Sequence, residues 1–164
     1  MSESISQAVL VAIWDTVSAA LAVTVPQLFN PADWNRHFTD RYVEPGEAPV
    51  MCIFDRPGFA VAGETTRSST AGGTELQGRQ ERHYTVTVRA WLEGPDEEVL
   101  RRDLRMVQDG VAAAISAKPL VQPYSVAWVQ GAEAIEANQV TAWYGAGDVT
   151  LLVQDFSDQG QVMR

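Results

Sequence analysis

Residues 82–93 read Arg-His-Tyr-Thr-Val-Thr-Val-Arg-Ala-Trp-Leu-Glu. Tyr84, Val86, Val88, Ala90 and Leu92 share one side of this stretch. His83, Thr85, Thr87 and Arg89 share the other, with Trp91 the exception. Successive side chains of an extended chain point to opposite faces, so the alternation predicts a strand with one face on a core. The other face is wet or pairs with a partner. A helix follows at once. Gly94-Pro95-Asp96 opens it, beginning at Pro95 or Asp96, and Glu97 and Glu98 suit the positive end of its dipole. Val99, Leu100, Leu104, Val107, Val111, Ala114 and Ile115 form its apolar stripe. Glu97–Arg101 and Glu98–Arg102 are i,i+4 pairs worth about 0.2–0.5 kcal/mol each. Burying each of the six larger apolar side chains is worth roughly 1.5–3 kcal/mol, so packing decides this helix. Lys118 suits its negative end and Pro119 stops it.

Towards the N-terminus, Ser4–Val23 reads as a second helix. Its stripe is Ile5, Val9, Ala12, Ile13, Val17, Ala20 and Leu21, its N-cap Ser2 or Ser4, and its stop Pro26. Residues 27–49 are broken by prolines. Phe29, Trp34, Phe38 and Tyr42 line either a short helix over Pro31–Phe38, capped by Asn30, or a loop pinned to the core by its aromatics. Val50–Phe54 is a short apolar strand, Asp55–Gly58 a turn, and Phe59 and Val61 the start of a further strand. Beyond the second helix, Tyr124–Gln130 is a strand, and 131–139 either extends it or forms a helical turn. Val140–Gln154 is strand-like but its apolar set changes from even to odd numbers, so a bulge or turn is expected at Gly145–Asp148. Residues 157–164 read as a frayed tail.

Between the two halves lies Gly63–Gln80, which holds only Ala71 and Leu76 as apolar residues and is rich in Gly, Ser and Thr. Such a segment cannot bury enough surface to order itself, and structureless loops this long are uncommon unless functional or disordered. The expectation is a long mobile β-hairpin arm on a single α+β domain, residues 1–156, with a largely antiparallel sheet and two helices on one face.

The 164 residues suffice for one domain with a real core, and 46% hydrophobic content fits a globular chain. Ala8–Val25 is interrupted by Asp15, Thr16, Ser18 and Thr24, and Met1-Ser2-Glu3 lacks a basic leader, so neither a membrane span nor a signal peptide is expected. The net charge is −9 and it is spread: residues 1–82 hold 10 acids and 6 bases, residues 83–164 hold 11 acids and 6 bases. That leaves no basic footprint for sequence-specific DNA binding. It suits either plain solubility or a surface that nucleic acid passes without adhering.

Catalytic chemistry finds no foothold. The histidines, His37 and His83, lie in unrelated contexts. The lone Cys52 sits in an apolar run, so it reads as a buried thiol, and no metal spacing exists. Gly72-Gly73 lacks a following Gly-Lys-Ser/Thr, Gly145-Ala-Gly147 lacks a third glycine, and no Gly-x-Ser-x-Gly elbow occurs. Ser68-Ser69-Thr70 lies in the arm, where no nucleophile could be held in place. Trp91, Trp128, Trp143 and Tyr144 lack the interleaved bases that a single-strand stacking platform uses, which favours packing or an interface. The reading is of a protein that is not an enzyme, with no cofactor and no metal.

The stretch Tyr84-Thr-Val-Thr-Val-Arg-Ala-Trp-Leu, then Gly94-Pro95-Asp96-Glu97-Glu98 and the Val99–Ile115 helix, resembles the middle of tail terminator proteins of tailed bacteriophages. Asp148-Val-Thr-Leu-Leu-Val-Gln-Asp is similar to their last strand, and the likeness in element order covers roughly residues 1–156. The resemblance implies a small α+β subunit that closes into a homo-oligomeric ring, a hexamer in that family. Such a ring caps the tail tube, stops its polymerisation and offers a docking face to the head–tail connector or stopper, within the virion neck. DNA would pass through an acidic lumen without specific binding. Interface residues expected on this reading are Arg67, Leu76, Arg79, Arg82, Arg89, Trp91 and Trp143. Two alternatives remain: a head-completion or stopper protein at the portal, and a small-ligand-binding domain with a concave apolar pocket.

Overall fold

A computed structural model gives the structure of residues 5–55, 65–66, 79–122, 125–134, 138–139 and 142–158, with side chains described for 7–55, 83–119, 125–133 and 142–155. The elements are α1 Ile5–Thr24, β1 Asn35–His37, β2 Val50–Asp55, β3 Thr65–Thr66, β4 Arg79–Gly94, α2 Glu97–Ala117, β5 Leu120–Gln122, β6 Ser125–Ala134, β7 Asn138–Gln139 and β8 Trp143–Asp158. They build an α+β fold around one mixed sheet in the order β1-β2-β4-β8-β6-β5, with β3 added beside β4 and β7 beside β8. Every pairing is antiparallel except β1 on β2.

The helices pack on one face. Val9, Ile13, Val17 and Leu21 of α1 meet Leu100, Leu104, Val107, Val111 and Ile115 of α2 over Tyr84, Val86, Val88, Ala90, Val149, Leu151 and Val153 of the sheet. Gln7–Thr24 has a mean hydropathy of 1.5, apolar enough by composition to cross a membrane. Here its apolar stripe is spent on the core instead. Asp96 is the N-cap of α2, its carboxylate accepting from the Val99 N–H at 2.8 Å. Glu97–Arg101 forms at 2.8 Å, whereas Arg102 turns to its neighbour Asp103 at 3.2 Å instead of to Glu98. Gly110 lets the helices meet closely: a Cβ there would stand 2.3 Å from Leu21 Cδ2.

Several expectations need correcting. Residues 31–38 form no helix. Asn30 closes a single turn by accepting from Ala32 N (3.2 Å) and Asp33 N (2.9 Å). Trp34 then drops into the core, packs its ring tilted against Phe29 at 4.9 Å and donates to Leu28 O at 3.1 Å. That anchor frees Asn35–His37 to pair in parallel with Val50–Cys52 as β1. Residues 131–134 extend β6, and β8 runs on to Asp158, so Ser157 belongs to the sheet and not to a tail. The predicted strand over 59–62 lies outside the described residues, as do the turn residues after Asp55. The arm is strand-paired near its ends, Thr65 with Gln80 and Thr66 with Arg79, and residues 67–78 lie outside the described residues.

The expected slip at Gly145–Asp148 is not there. β4 and β8 keep one register from Gly94↔Trp143 to Arg79↔Asp158, and the register shift in this region lies in β6, between Val129 and Gly131. The apolar pattern changes parity because the covered face changes. Val149, Leu151 and Val153 face the helices, while Tyr144 and Ala146 face a second cluster on the opposite side of the same strand.

Candidate interaction surface

The second face of the sheet is formed by the odd positions of β4 and the even positions of β8. The alternation left this face wet or paired with a partner; in the structure it is divided. At one end a strap over residues 39–49 closes on it, burying Val43, Val50, Cys52, Phe54, Trp91, Tyr144 and Ala146 together. Trp91 stacks on Tyr144 at 6.2 Å and takes the edge of Tyr42 at 5.9 Å. Trp91 Nε1 and the Thr87 hydroxyl, both buried, have no hydrogen-bond partner among the described residues.

Polar tethers hold the strap. Arg89 grips Asp148 with two parallel bonds, Nε to Oδ1 at 2.8 Å and Nη2 to Oδ2 at 3.0 Å, and sends Nη1 to Asp40 of the strap at 2.9 Å. The guanidinium also lies 5.3 Å over the Phe54 ring. The bond to Asp148 holds the Arg89 pKa above its ordinary value. Tyr42 and Tyr144 share a hydroxyl–hydroxyl bond of 2.7 Å, which raises the Tyr144 pKa. The Gly46 N–H donates to Glu93, and Arg41 pairs with Glu47 at 2.8 Å. Gly46 turns the strap with φ +94°, a region open to glycine at little cost.

Past the strap the face is open. Trp128 is 44% exposed, and it stands across from Leu152, itself across from Thr85. Val126, Gln154 and His83 make the next row, and all of these except Trp128 are half-buried. An exposed indole beside a leucine in a threonine-rich face is the kind of surface that partners cover.

The strands also outrun the helices. β4 and β8 have 16 residues each and α2 has 21. At about 3.3 Å per strand residue and about 1.5 Å per helix residue these span roughly 53 Å and 32 Å. The ribbon is therefore roughly 20 Å longer than the helix, and its end rows pair Arg79–Gln80 with Ser157–Asp158, with β3 alongside.

The expected interface residues separate accordingly. Arg89 and Trp91 come together, but as parts of the strap assembly: Trp91 is buried, and the guanidinium of Arg89 is committed to two carboxylates. Trp143 lies on the opposite face, half-buried against the main core. Arg89 and Trp91 are engaged by a loop that covers a face the alternation leaves open, whereas Trp143 packs against the main core on the other side of the sheet. Arg79 and Arg82 lie in β4, opposite Asp158 and Asp155, with side chains outside the described residues. Arg67 and Leu76 lie outside them altogether. Among the described residues the exposed aromatics are Tyr42, on the strap, and Trp128, whose place opposite Ala127 and Val129 in a strand was its signal. Among the described residues no group of three His, Cys, Asp or Glu side chains is placed to hold a metal ion. Cys52 is buried, and desolvation raises its pKa despite a backbone hydrogen bond from Arg41, which keeps it a thiol. Comparison with known proteins finds no family model and no curated protein that matches this chain.

Proposed function

We propose that this chain is a structural subunit of the tail-terminator kind. Copies of it form a closed ring, a hexamer by the resemblance, that caps a phage tail tube, ends its growth and meets the head connector. DNA passes through the acidic lumen without specific contacts, and the subunit performs no catalysis and carries no cofactor. The observation that supports this reading best is the β4–β8 ribbon, whose strands are longer than either helix packed on the sheet. Strand rows beyond a helix layer gain stability by lying on another subunit. The partly exposed Trp128 face adds a second surface, and closed rings use two different surfaces of one subunit.

The test is assembly. Sedimentation of the purified protein over a range of concentrations, with class-averaged electron micrographs, should give a particle with a central hole. Mixed with polymerised tail tubes, it should cap their ends and stop elongation. A strict monomer that leaves tubes growing would refute the proposal. Capture by DNA-filled, tailless heads with no affinity for tubes would assign it to the head-completion role instead.

A further inference from the structure

Among the described residues the sheet ends in β1 on one side, and on the other β5 covers only the start of β6; we propose that these edges join: β6 of one copy takes β1 of the next as an added antiparallel strand, so that one sheet continues round the assembly. This rests on the ring reading above. β6 is paired with β8 along its length, to Ala134↔Gly147. On its other side β5 reaches only Ser125 and Val126, with one further bond from Ala127 N to Pro119 O at 2.8 Å. From Trp128 to Ala134 the outer edge meets no strand among the described residues. Gln130, Gly131, Ala132 and Glu133 are exposed there.

Unpaired backbone along an edge is a template for another strand, and proteins that stay apart cover it or load it with charge. This edge carries one charged residue, Glu133. At the other end of the sheet, β1 pairs with β2 alone among the described residues, and Asn35 and Arg36 are exposed.

Strand direction suits the junction. β1 runs parallel to β2, and the steps from β2 to β4, β8 and β6 are each antiparallel, so β1 runs opposite to β6. Continuing the sheet into a second copy with the same face up sets the two edges antiparallel. Charge suits it as well. Glu133 lies opposite Asp148, on the strap side of the sheet. His37, opposite Cys52, lies on that same side, with Arg41 Nη1 3.2 Å from its Nε2. A carboxylate on one edge thus meets, on the other, a cluster that holds the Arg41 cation beside His37 and Glu47. The contact is heterologous, with one edge of each subunit used once, and so it can close a ring.

Cysteine pairs test it. Glu133→Cys combined with Asn35→Cys, and separately with His37→Cys, are oxidised in the assembled full-length protein and run without reductant. A disulfide requires Cα atoms about 4.4–6.8 Å apart, so only direct strand neighbours link. The expected result is a ladder of dimer, trimer and higher bands up to the ring number from at least one pair, with no more than dimers from each single variant. Glu133→Arg, which turns a cross-strand attraction into repulsion, should raise the concentration needed for assembly roughly two- to thirty-fold. Rings in the wild type, with no ladder from either pair and unchanged assembly of Glu133→Arg, would overturn the edge junction and leave the ring reading standing. Ladders that stop at dimers would replace it with a two-fold contact. A wild type that stays monomeric with or without tubes would sink both.

Discussion

Replacing Asp148 by Asn tests whether the Arg89 bridge anchors the strap. The Asp148 side chain is 9% exposed and that of Arg89 16%, whereas Asp40, the third member, is 63% exposed. Breaking a buried ion pair from one side costs about 3–5 kcal/mol because the other charge stays behind. Here Asp40 still neutralises part of the guanidinium, and solvent reaches it from that side, so about 2–3 kcal/mol is expected. Asp40→Asn removes an exposed partner and should cost under ~1 kcal/mol. Replacing Arg89 and Asp148 together by Leu removes both charges and should cost less than Asp148→Asn alone. Because the bond to Asp148 raises the Arg89 pKa, the stability it carries is present below the unfolded-state value. It would be lost only as pH rose through the folded-state value, above the ordinary arginine range, so no alkaline loss from this group is expected under working conditions. Urea denaturation of the four proteins, with slopes compared to confirm a shared unfolded state, gives the differences directly. If Asp148→Asn costs no more than Asp40→Asn, or the double Leu variant is the least stable of the set, the bridge is not what holds the strap and the reasoning fails.

Other outcomes follow from the helix layer and the thiol. Gly110→Ala should destabilise by up to about 2 kcal/mol, since overpacking against Leu21 at about 1–3 kcal/mol outweighs the roughly 1 kcal/mol gain in helix propensity. Adding Leu21→Ala should make the pair less costly than the sum of the singles in chemical denaturation. Asp96→Ala should lower stability by about 1 kcal/mol through loss of the Val99 N–H bond, and Asp96→Asn should recover most of it in the same assay. Cys52 should resist a thiol reagent in the native protein and react fully in denaturant, because burial both hides it and raises its pKa. Labelling at the native rate of a free thiol would show that the strap opens readily.

The sequence itself determined both helices, the central strand and the α+β class, because those elements carry their own periodicity. Val99 to Ile115 repeats at helical spacing, and its start, read at Pro95 or Asp96, falls next to the Asp96 N-cap. Tyr84 to Leu92 alternates whatever its neighbours do. Only the tertiary structure decided the second face. A loop pinned by its aromatics, Tyr42 among them, was one reading of this region, but nothing in Thr39–Pro49 announces that it folds over Trp91 and Tyr144. For that reason Trp91 and Arg89 read only as interface residues and not as parts of the strap assembly, and the Tyr144–Val149 parity change read as a bulge or turn. Those contacts join residues scores of positions apart, and a linear pattern records how one segment alternates but not what lies on top of it.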